Sequence, residues 1–133
     1  MLSFMSDQTF PAAAKAMTFI VTSDREAAKT FYGDILGFKE IGEDDYAVVF
    51  DLNGIMLRVS TVKQHEAAEH TVLGWEVPDI TSAVKTLTDK GVVFNRYPYF
   101  EQDELGIWTA PGSTNRVAWF KDPDGNVLSL AQF

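Results

Sequence analysis

The chain has 133 residues, 46% of them hydrophobic and 23% charged, with no cysteine and a formal net charge of −8. This length suits a single domain that buries a core without staples, and 10 Phe, 4 Tyr and 3 Trp are too many for a disordered chain. Absent cysteine excludes disulfides, thiolate zinc sites and cysteine nucleophiles, while 11 Lys and Arg against 19 Asp and Glu leave no basic stripe for nucleic acid or an anionic membrane.

Residues 1–15 lack a positive leader followed by a sustained apolar stretch, so no signal peptide is predicted. They read as a disordered lead-in, with Met1 or Met5 as the start, on a cytoplasmic protein. No apolar run approaches the ~18 residues of a membrane span. Met17–Thr22 (MTFIVT) is a β-type run. Ser23 and Glu26 then offer a capping box, with Ser23 as N-cap. Ala27, Ala28, Phe31, Tyr32, Ile35 and Leu36 follow at helical spacing, and Gly37 supplies a left-handed stop. Phe38–Ile41, Tyr46–Asp51 and Ile55–Ser60 are further strands, the last two joined by a turn at Leu52-Asn53-Gly54.

The second half repeats this grammar. Val72–Val77 is a strand, Pro78-Asp79 opens a helix carrying Ile80, Ala83, Val84 and Leu87 on one face, and Gly91 ends it. Val92–Asn95 is again a strand, and Arg116–Lys121 pairs with Asn126–Gln132 around Asp122-Pro123-Asp124-Gly125. The helix-opening Asp24 and Asp79 stand 55 residues apart, and the helix-stopping Gly37 and Gly91 stand 54 apart. The chain therefore divides into module one at 16–60, a linker at 61–70 and module two at 71–133, together one domain over 16–133. Module two is longer by Arg96–Gly112, a loop holding Tyr97, Tyr99, Phe100 and Trp108. Those rings either line a ligand site or cover an exposed sheet.

Two βαβββ units, with FYGDILGF closing the first helix and WFKDPDGNVLSL near the end, resemble the vicinal oxygen chelate superfamily, the glyoxalase, bleomycin-resistance and extradiol-dioxygenase group. The resemblance spans Met17 to Phe133. It implies an α+β fold in which each module curls a mixed β-sheet into half of a cup, with helices on the outer face, and it implies a homodimer. It also implies a divalent metal held from the first and last strand of each module. The matching positions here are Met17, Arg58, Val72 and Ser129, none an ordinary ligand for such an ion. No metal cofactor is therefore expected.

Strand alternation sorts the faces. Met17, Phe19 and Val21, then Met56, Arg58 and Ser60, then Val72, Gly74 and Glu76, and finally Val127, Ser129 and Ala131 face the cup. Leu57, Val59, Leu73, Trp75, Val77, Leu128 and Leu130 face the helices. A guanidinium in an apolar cup needs a partner, so Arg58 is a bidentate anchor for a ligand carboxylate or phosphate, with Ser129 beside it, or the ion-pair partner of Glu76, or it meets solvent in an open cup. Glu76 is the weak candidate for a general base. His65 and His70 lie too far round a helix to share one face and read as part of a solvated linker. Asp122 and Asp124 read as turn residues.

The expected function is binding of a small organic molecule, with Arg58, Ser129, Glu76, Met17, Phe19, Val72, Tyr97, Tyr99, Phe100 and Trp108 at the site, similar to the antibiotic-sequestering members of the family. The alternative is a glyoxalase- or dioxygenase-type enzyme, a lyase, isomerase or oxidoreductase, whose metal ligands lie elsewhere.

Overall fold

Alternating apolar residues at Met17–Thr22 and Ile55–Thr61 form β1 and β4, which pair in parallel with Phe19 opposite Arg58. The structure, a computed structural model, describes residues 9–133. Residues 1–8 of the expected lead-in over 1–15 lie outside them, and 9–16 are exposed with no helix or strand. Between β1 and β4 come α1 (Arg25–Lys29), β2 (Lys39–Glu43) and β3 (Ala47–Leu52), giving a sheet ordered β1-β4-β3-β2. Module two supplies β5 (Thr71–Glu76), α2 (Ile80–Asp89), β6 (Trp108–Thr109), β7 (Arg116–Lys121) and β8 (Val127–Gln132), ordered β5-β8-β7-β6. The two orders match strand for strand, as a repeated βαβββ unit requires.

The helix ends differ in detail from the sequence reading. Asp24, not Ser23, caps α1, accepting from the Ala27 N–H at 3.1 Å. Ser23 is drawn instead to Asp124, donating to its Oδ1 from the main chain at 2.8 Å and from the hydroxyl at 3.0 Å. Asp79 caps α2 in the same way through the Ser82 N–H. Gly37 and Gly91 end both helices at φ of 82° and 95°, the left-handed region a side chain disfavours.

α1 also fails to stay α-helical, continuing over Thr30–Ile35 in wider π-type turns. Such turns rotate successive side chains by less than the roughly 100° of an α-helix. The adjacent Phe31 and Tyr32 can thus both point inward, where they are buried with rings edge-on at 5.1 Å.

The expected strand Val92–Asn95 does not form. Only Phe94 bridges, to Phe120, and the inserted loop supplies β6 in its place, with Trp108 opposite Val117. The long insertion leads the chain away from the sheet after Asn95 and returns it at the edge of β7.

A single buried cluster joins the modules. Leu57 and Val59 from the first sheet, Leu128 and Leu130 from the second, and Phe31 and Val84 from the helices belong to it. Phe31 meets Phe120 at 6.3 Å, and Phe38 stacks on Trp75 at 5.5 Å, so α1 and its exit fill the space beside both sheets.

Candidate functional site

Because each sheet turns its helix face onto that shared core, its cup face lies on the far side. In the first sheet this face carries Met17, Phe19 and Arg58, with Phe19 62% and Met17 46% exposed. In the second it carries Val72, Gly74 and Glu76 on β5, Val127 and Ser129 on β8, and Trp119 on β7. Arg58 and Ser129 each lie on the cup face of their own sheet and share no hydrogen bond among the described residues. Nor does Arg58 pair with Glu76. Its guanidinium lies 3.6 Å from Asp44 on the β2–β3 loop. The N–H groups of Tyr46 and Ala47, then the Arg58 charge, hold the Asp44 carboxyl below its ordinary range despite some desolvation. Glu76 is exposed with no ion pair or side-chain hydrogen bond among the described residues, so nothing orients it as a base.

Gly74 and Ser129 sit opposite each other at the middle of the second cup face. A Cβ at residue 74 would lie 2.5 Å from the Ser129 hydroxyl oxygen, so the glycine makes room for that side chain. Next in the row is Trp119, which the sequence reading passed over although alternation with buried Ala118 and Phe120 places it on this face. Phe100 from the inserted loop stacks on it at 5.2 Å with the rings 8° apart. Trp108, Tyr97 and Tyr99 complete the cluster, with Trp108 4.7 Å from Phe100 and Tyr97 edge-on to Trp119.

The loop is held in this shape by its own polar groups. The Arg96 guanidinium donates to the carbonyls of Asp103 and Glu104, at 2.5 and 2.7 Å. Gln102 accepts from the Tyr97 N–H and donates to the carbonyls of Asn95 and Gly106. Asp103 accepts from the N–H groups of Leu105 and Ile107.

A cleft of ≈ 610 Å³ lies between the Ala67–Glu69 stretch of the linker and Tyr97 and Tyr99, with Lys121 and Val127 at its base. The linker is largely exposed, as expected, but it is fastened at His65. His65 Nε2 lies 2.7 Å from Asn126 Oδ1. The Asn126 amide nitrogen already faces two acceptors, the Val21 carbonyl and Asp122 Oδ2, which fixes the amide orientation and makes Nε2 of His65 the proton donor. The segment Lys63–His70 is not helical, so His65 and His70 are not presented together.

Nor is the Asp122–Asn126 segment only a turn. The buried Asp122 accepts from the Tyr32 hydroxyl at 2.7 Å, and Asp124 accepts from Thr22 and Ser23. A module-two hairpin thus ties directly to β1 and α1 of module one.

Similarity to known proteins agrees with this architecture. A family model described as the Glyoxalase/Bleomycin resistance protein/Dioxygenase superfamily matches residues 14–130. The chain belongs to this superfamily. No curated protein matches it. Among solved structures, a superfamily member from Sphaerobacter thermophilus is 25% identical, with 91% of this chain and 98% of that one covered and a TM-score of 0.68. A glyoxalase family protein from Enterococcus faecalis is 20% identical, with 90% and 98% covered and a TM-score of 0.72. Lactoylglutathione lyase from Agrobacterium tumefaciens is 16% identical, with 92% and 96% covered and a TM-score of 0.70. The latter two establish shared fold alone.

In this glyoxalase-superfamily chain, the four positions that the sequence resemblance matches to the family's metal ligands offer a thioether at Met17, a guanidinium at Arg58, an alkyl group at Val72 and one neutral hydroxyl at Ser129. That donor set does not fit a divalent cation, which seeks imidazole or carboxylate when thiolates are absent. Among the described residues no three His, Asp or Glu side chains gather as a substitute.

Proposed function

We propose that this glyoxalase-superfamily protein binds a small organic molecule on the cup face of its second sheet, without a divalent metal. The observation that carries this function is the Phe100–Trp119 stack, which sets a rigid aromatic surface beside Ser129 and the adjoining cleft. Aromatic surface with a few polar groups suffices for binding and needs no reactive centre. The working form is a homodimer. Met17 and Phe19 leave apolar area exposed on the first cup face. A second copy laying that face over the second sheet would bring an Arg58 guanidinium toward Ser129, Glu76 and Val72.

Calorimetric titration of metal-free protein with zinc, manganese, iron and nickel salts is expected to find no stoichiometric site. A panel of small aromatic molecules is expected to quench Trp fluorescence saturably, and Arg58→Ala is expected to weaken the best binder by about tenfold. A tight metal in each cup, or no saturable quenching by any compound, would overturn the function proposed.

A further inference from the structure

The cleft between linker and aromatic loop is charged against the trend of the molecule. The chain carries −8, yet two cations, Arg96 and Lys121, line this cleft against one carboxylate, Glu69. Neither cation is engaged by an acid among the described residues, whose salt bridges involve Arg25, Lys29 and Arg58. Arg96 donates to main-chain carbonyls, which aim a guanidinium without cancelling its charge. Asp122 and Asp124, close by in sequence, point their oxygens to Tyr32, Thr22 and Ser23 at the module junction. The other acids do not line the cleft. Locally, the positive side chains prevail.

One wall of the cleft is aromatic. Tyr97 and Tyr99 stack at 5.6 Å, and Tyr99 is 73% exposed. The Tyr97 hydroxyl accepts from the Asn95 amide at 3.0 Å, which leaves its own proton to donate. The volume of ≈ 610 Å³ lies within the ~300–1,000 Å³ usual for small-molecule sites. We infer that the cleft selects a planar aromatic molecule bearing one anionic group, with its ring on Tyr99 and its anion at Lys121. This rests on the binding function proposed above and names the ligand class within it.

Three naphthyl probes of different charge test the inference by calorimetry on the full chain: 2-naphthoate, its isostere 2-naphthamide, and 2-naphthylmethylammonium. Naphthoate is expected to bind about tenfold more tightly than the amide, with the cation weakest. Lys121→Gln, an exposed position, is expected to bring naphthoate to the affinity of the amide and leave the amide unchanged, while Tyr99→Ala weakens both. A cation that binds as well as the anion, or a preference that survives Lys121→Gln, overturns the ligand class while leaving small-molecule binding intact. Failure of all three probes when the broader panel still quenches Trp fluorescence overturns the cleft as the site, and failure of both experiments removes the binding function itself.

Discussion

Asp122 accepts four hydrogen bonds: from the Tyr32 hydroxyl, the Asn126 side-chain amide, and the N–H groups of Asp124 and Asn126. A buried carboxylate is tolerated only with such company, because an unsatisfied one is costly in low dielectric. Burial first, and then the Asp122 charge, push the Tyr32 hydroxyl far above its ordinary value, so it remains a donor throughout the working pH range. Tyr32→Phe keeps the ring and removes that donor, and is expected to cost about 1–3 kcal/mol in urea unfolding. Asp124 titrates differently. Burial alone would raise its carboxyl, but the Ser23 N–H and the hydroxyls of Thr22 and Ser23 outweigh burial and hold it below the ordinary carboxylate range. A carboxyl lowered in the folded state adds stability above its unfolded value of about 3.9, and that stability is lost as pH falls through the lower folded value. Asp124→Asn should therefore be less stable than the parent at neutral pH, with the difference shrinking below about pH 4 in pH-dependent unfolding.

At the scale of elements, the inserted loop behaves as a piece of the second sheet. It replaces the missing strand at Val92–Asn95 with β6, and its rings lie on Trp119. Phe100 touches Tyr97, Tyr99, Trp108 and Trp119, which makes it the centre of the cluster. Phe100→Ala should loosen the loop while leaving the core strands intact. Amide hydrogen exchange is expected to quicken by about tenfold or more over residues 96–109 and to stay unchanged in β3 and β4. Uniform exchange across the chain would mean that the cluster stabilises the whole domain and not the loop.

For the whole molecule, the decisive feature is one core shared by two modules. Phe120 touches Phe31 of module one as well as Trp75 and Phe94 of module two, and the Asp122–Asn126 turn fastens the same boundary with hydrogen bonds. Neither module retains its buried surface without the other, so both should unfold together. Trp75, Trp108 and Trp119 all lie in module two, whereas far-ultraviolet dichroism reports both modules. The two signals are expected to trace a single coincident transition in urea. A dichroism midpoint separated from the fluorescence midpoint would show modules that fold independently.

The sequence by itself determined the local pattern. The matching helix-opening Asp24 and Asp79, the stopping Gly37 and Gly91 and the alternating strands revealed the repeat, because helix ends and strand pleats depend on neighbours a few residues away, although which of Ser23 and Asp24 caps α1 was decided by the structure. Alternation also sorted Leu57, Val59, Leu128 and Leu130 from Arg58 and Ser129, and the donor chemistry at Met17, Arg58, Val72 and Ser129 was already readable. What only the tertiary structure decided was which of these faces meet. The tertiary packing gives Arg58 to Asp44 and turns the Asp122–Asn126 hairpin into the clasp between modules. Those partners lie far apart along the chain, Tyr32 from Asp122 and His65 from Asn126, and no periodicity encodes a contact that arises when two sheets close on one core.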